Sequence, residues 1–178
     1  DNASGTAAVL ELARLFAGQK LSRTIRFVLF TNEEPPYFQT DNMGSVVYAR
    51  SCRRPFETIN AMLSLETIGY YSDAENSQRY PPLVGLFHPT RGNKGNFIAF
   101  AGNTPSRGLI NRSTAAFRHT TSFPIESVAL PQDIPGIGWS DHWSLWQAGY
   151  PGVMITDTAV FRYEKHYHQQ SDTPDRLD

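Results

Sequence analysis

Cysteine is almost absent. Cys52 is alone among 178 residues, so no disulfide can close within the chain, and the redox compartment stays open. An excess of charge of either sign is absent too: 16 Lys and Arg face 17 Asp and Glu, a formal net charge of -1. That balance gives no basic surface for nucleic acid or an anionic membrane. Long apolar runs are missing, and no stretch approaches the roughly 20 residues of a membrane span. No membrane segment is therefore expected in this chain. No signal peptide is visible, and the first residue is Asp1 rather than methionine, which reads as a fragment or a processed form. Two Asn-x-Ser triplets, at Asn2 and Asn111, match the glycosylation pattern but occur often by chance.

What is present suits one soluble-type core. Hydrophobic residues make up 40% and charged residues 19%, enough for a single domain over 1–178. Val9, Leu12, Leu15 and Phe16 recur at helical spacing, which predicts a helix over 4–19 with Gly18 at its end. The run TIRFVLFT at 24–31 reads as a buried strand. A second helix is expected over 43–52 and a strand over 60–67. A polar surface loop follows at 72–82. Further strands are expected at 83–87, 97–101, 125–130 and 152–156, with helices at 106–120 and 141–148. The tail 157–178 is polar and loop-like. Strands alternating with helices imply an α/β sandwich with a largely parallel sheet. Its ligand site should lie beyond the carboxyl ends of the strands. Glu33, Glu34, Glu66 and Asp157 follow strand ends in that sense.

Each candidate residue has a plain alternative. Glu33 and Glu34 are adjacent carboxylates that are costly to bury without a cation, yet an acidic solvated loop would also explain them. Asp1, Asn2 and Ser4 could simply cap a helix. Glu66 leaves an apolar strand as a ligand or as a salt-bridge partner. His88 and His119 read as ordinary surface residues. Taken together, Asp1, Glu34, Glu66 and His168 form a set of oxygen donors plus one imidazole that zinc accepts. Asp can bridge two zinc ions. A free carboxylate beside a ligand, here Glu33, can act as general base.

In this order, the segments DNASGTAAVLELAR, FVLFTNEE, MLSLETIGYY, SDHWSLWQAGYPGVMI and YHQQSDTPDRLD resemble the M28 metallopeptidases along the whole chain. The resemblance implies a three-layer α/β sandwich with a mostly parallel mixed sheet and peptide hydrolysis at a free amino terminus. It makes Asp1 the bridging zinc ligand, Glu33 the general base, Glu34 and His168 ligands of one zinc, and Glu66 the terminal carboxylate of the other. Most members have Asp at the last of these positions. Tyr167 matches a tyrosine that stabilises the tetrahedral intermediate in some members, or else packs as an aromatic. Asp141 and His142 of the SDH motif would orient ligands or wall the site, and Asp172 near the tail would hold the His168 loop or simply form a turn.

Two departures stand out. An insertion, Pro35 to Asn42, replaces the usual short link and is expected to wall the substrate pocket, or to be a packed surface loop. The family's first zinc histidine lies upstream of the Asp of DNASG, so this chain is expected to lack it, the sheet's first strands and the final helix. Two zinc ions are expected in a full-length parent and about one in these residues alone, with impaired activity. A glutaminyl cyclase and a non-catalytic module of the same fold are the alternatives. Family habit favours an extracytoplasmic, periplasmic or secreted location.

Overall fold

The computed structural model describes residues 2–53, 58–81, 84 and 92–178. Four strands, β1 (Met62–Glu66), β2 (Ile98–Asn103), β3 (Ile125–Leu130) and β4 (Gly152–Thr156), form one sheet in the order β1-β4-β2-β3. β1 runs parallel to β4 and β2 parallel to β3, while β2 and β4 are antiparallel. Among the described residues the α-helices are α1 (Ala3–Phe16), α2 (Gly44–Arg53), α3 (Arg107–Thr120), α4 (His142–Gln147) and the short α5 (Val160–Tyr163). They flank a mixed, open sheet in the α/β manner.

Alternation along the strands builds two cores. Ile98 and Phe100 of β2, Ile125 of β3 and Val153 of β4 meet Leu109 and Ile110 of α3 on one face. Ala101 and Met154, one residue out of step, meet Ile137 and Trp146 on the other. The period of two thus sends neighbouring residues to opposite layers. Trp146 of α4 also donates from its indole to the Gly152 carbonyl at 3.0 Å, fixing that helix to the start of β4.

Helix α1 begins where the chain crosses β1. Asn2 caps it, accepting from the Gly5 N–H at 3.1 Å. A Cβ at Gly5 would lie 2.3 Å from the Leu65 carbonyl oxygen, so only glycine permits this crossing. Gly44 repeats the device at α2, where a Cβ would meet the Thr31 carbonyl oxygen at 2.6 Å.

The segment 24–31 corrects an expectation. It is not a strand: it carries no ladder pairing, and Ile25, Phe27 and Leu29 are exposed. Its composition favours an extended chain, but a strand exists only through a neighbour's backbone, and no described strand lies alongside it. The tail is also less irregular than its polarity suggests, holding α5 and a 3-10 turn at Pro174–Arg176. The strand expected at 83–87 lies, apart from the buried Val84, outside the described residues.

Candidate active site

Parallel pairing of β1 with β4 sets Glu66 opposite Thr156, so both strands end on the same side of the sheet. Two other acidic residues arrive there from the segment after 24–31. Asn32 takes a left-handed φ of 58° and turns the chain into Glu33 and Glu34. From the tail comes His168, itself at φ 57°. Its Nε2 lies 2.9 Å from Glu34 Oε1. Asp172 closes the turn behind it, donating its N–H to the Gln169 carbonyl at 3.0 Å. Glu34, Pro35, His168, Gln169 and Asp172 line one shallow concavity.

Glu66 is held from several sides. The Ser140 hydroxyl donates to its Oε2 at 2.7 Å, and Ser64 stands 3.0 Å behind Ser140. Both serines are buried. Asn2 grips the backbone on either side: its Nδ2 donates to the Leu65 carbonyl at 2.8 Å, and its Oδ1 accepts from the Thr67 N–H at 3.0 Å. Asp1 itself lies outside the described residues. Ser140 and Asn2 carry no metal-binding signal as single residues. Their place inside SDH and DNASG was the available clue.

The acids burden one another. Burial first, then the charges of Glu66, Asp141 and Glu34, push Glu33 up to about 8. Glu66 rises to about 7, mainly through burial, against the lowering hydrogen bond from Ser140. Asp141 rises to about 6, again through burial, with Ser45 pulling the other way. Among the described residues, Asp141 Oδ1 is buried with no hydrogen-bond partner. A cluster in which carboxylates resist ionisation, one of them with an orphaned oxygen, is the environment a cation relieves.

The donors fit zinc in kind. Two ligands on one tetrahedral ion with bonds of about 2.0 Å lie about 3.3 Å apart, and the Glu34–His168 pair is within a few tenths of an ångström of that. Among the described residues no three His, Cys, Asp or Glu side chains converge as a metal-holding group. The pair supplies two such donors, and the resemblance expects Asp1, outside the described residues, as the third.

Tyr167 stacks on the His168 ring at 3.9 Å between centroids. Burial and then the charges of Glu34, Glu66 and Glu33 push its phenol above the usual range, so it stays protonated. His142, by contrast, is fully buried and bonds the Ile137 carbonyl at 2.7 Å, with its ring edge-on to Trp146. It braces the 137–140 segment and contacts no site carboxylate through that bond. His119 is exposed at the end of α3, His166 bonds Ser171 at 2.8 Å, and His88 lies outside the described residues.

The inserted segment 35–42 packs across to this same loop. Gln39 Nε2 donates to the Gly138 carbonyl at 3.1 Å. Tyr37 remains exposed. Beside Glu66 and Tyr167 opens a pocket whose walls are mostly apolar, among them Val84, Phe97, Ala99, Trp139, Met154 and Phe161. The ring of Trp139 stacks on Phe161 at 6.1 Å. The lining comes from segments far apart in the chain.

Comparison with known proteins bears on the family and the fold. The chain is 43% identical over 178 residues to the protein YfbL of Escherichia coli K12, covering 99% of this chain and 53% of YfbL. It is 25% identical to the probable aminopeptidase YDR415C of Saccharomyces cerevisiae, covering 99% of this chain and 41% of that protein. The chain thus spans about half the length of YfbL and about two fifths of YDR415C. In fold it is similar to the LapA aminopeptidase of Legionella pneumophila, with a TM-score of 0.73 at 20% identity, covering 100% of this chain and 41% of that one. It is likewise similar to BSAP, a zinc aminopeptidase from Bacillus subtilis, with a TM-score of 0.68 at 20% identity, covering 100% of this chain and 37% of that one. The family model for peptidase family M28 matches residues 1–178, and the chain belongs to that family.

Proposed function

We propose that the protein is a zinc-dependent aminopeptidase in which Asp1, Glu34, Glu66 and His168 hold zinc, with two ions in the whole protein. The observation that carries it is the 2.9 Å approach of Glu34 to His168 at the edge of a cluster of mutually repelling carboxylates. When bound, zinc would polarise the scissile carbonyl and make the attacking water more acidic.

The chain's own residues do the rest. Glu33 accepts the proton from the water as it attacks and returns it to the leaving amine. Tyr167, kept protonated, donates a hydrogen bond to the carbonyl oxygen as charge builds there. The acidic mouth favours a substrate with a positively charged amino terminus over a blocked one. The apolar pocket beside Glu66 and Tyr167 takes the side chain of the N-terminal residue.

Hydrolysis of leucyl and N-acetyl-leucyl anilides tests this reading. The free amine substrate should be cleaved, a chelator should stop the reaction, and zinc should restore it. The acetylated substrate should be spared. Ammonia release from a glutamine-initiated peptide without anilide cleavage would instead favour the glutaminyl cyclase alternative.

A further inference from the structure

Asp157 ties together two loops that face the site. Its Oδ1 accepts from the Thr67 hydroxyl at 3.0 Å and from the Ala159 N–H at 2.8 Å. Its Oδ2 accepts from the N–H groups of Gly69 at 3.2 Å and Tyr70 at 2.9 Å. Its own N–H donates to the Thr67 carbonyl at 2.7 Å. The residue is 3% exposed. Behind it lies Arg162, also buried, which donates to the Tyr70 carbonyl and to Gln78 Oε1, each at 2.9 Å.

Three residues within this clamp have left-handed backbones without being glycine: Thr67 at φ 44°, Thr158 at 81° and Ala159 at 44°. Such conformations persist only where surrounding bonds impose them. The carboxylate supplies those bonds to both loops at once. The first loop starts at the residue after Glu66. The second, 158–161, forms one wall of the apolar pocket.

We infer that Asp157 is a positioning residue that locks Glu66 in register with the pocket wall, so that zinc retention and side-chain selection depend on one buried carboxylate. The inference rests on Glu66 being a zinc ligand, as proposed above. A carboxylate that merely capped a turn would bond one loop. This one bonds two, and neither can shift without giving up hydrogen bonds to the other's anchor.

Asp157→Asn keeps the volume but sets an amide N–H2 against backbone N–H donors. In the zinc-loaded protein it should weaken zinc binding about tenfold in competition with a chelating dye, as loss of outer-shell support does. It should also lower the ratio of kcat/KM for leucyl over alanyl anilide, by about fivefold on the scale of pocket discrimination. Thr67→Val removes one of the clamp's bonds without loss of volume and should move both quantities the same way, while Thr67→Ser, which keeps the hydroxyl, should restore them. If Asp157→Asn does not fold, the Thr67 pair decides. Variants that lose thermal stability with zinc affinity and substrate ratio unchanged, or in which only one of the two changes, overturn the inference. A wild-type protein without zinc-dependent hydrolysis would defeat the aminopeptidase reading itself, a distinguishable outcome.

Discussion

Glu34 Oε1 and His168 Nε2 meet at 2.9 Å although 134 residues separate them in the chain. The contact exists because the tail after β4 turns back over the strand ends and presents His168 to the segment that follows Asn32. A hydrogen bond between half-exposed side chains is worth little to the fold, about 0.2–1 kcal/mol for an ion pair in such a setting. The arrangement is better explained by what the two donors can hold between them.

Replacing either donor should therefore empty the site. Glu34→Ala and His168→Ala should each lower the zinc retained after dialysis, measured by metal analysis. His119→Ala, on the exposed end of α3, and His88→Ala should retain wild-type zinc. Equal zinc in all four variants contradicts the ligand assignment.

The pocket makes a separate prediction. Ala99 lies on β2 and lines the pocket beside Glu66. Ala99→Phe should fill the space and raise KM for leucyl substrates about tenfold, the scale of losing or crowding a few methylenes. Alanyl substrates should keep most of their rate. An equal loss on both substrates would mean that the pocket does not receive the side chain.

His142 predicts an acid sensitivity. Burial pushes its imidazole down to about 4, against the raising hydrogen bond to Ile137. The unfolded chain takes up a proton below about pH 6.5, whereas the folded one does not until about pH 4. The group's contribution to stability is therefore complete above the first value and is lost as pH falls toward the second. Imidazole resonances followed by NMR should show His142 neutral at about pH 5.5. A midpoint near its ordinary value would contradict the buried, neutral state.

Much of the fold was legible because alternation and punctuation agreed. Strands β3 and β4 lie where Ile125 to Leu130 and Gly152 to Thr156 were expected, β3 between Pro124 and Pro131 and β4 directly after Pro151. The segment 24–31 has equal strand propensity and fails, since pairing depends on a neighbour that propensity does not see. Candidates stood out where chemistry is carried by type, as in Glu34 and His168, which the structure brings to 2.9 Å, and Glu33, which feels the charges of Glu66, Asp141 and Glu34. Asn2 was legible as the cap of α1 and Asp157 only as a residue after a strand end, while Ser140 escaped notice, because serine, asparagine and a post-strand aspartate look the same whether they hold a turn or a ligand. Only the distances to Glu66 and its flanking backbone separate those roles.

The central claim, that Glu33 moves the proton at a zinc centre it does not itself hold, is tested most directly by Glu33→Gln with zinc content and turnover measured on the same sample. The expected result is unchanged zinc with kcat/KM lowered roughly 10²–10⁴-fold. Zinc lost together with activity would make Glu33 a ligand, and near-wild-type turnover at full zinc would contradict the account.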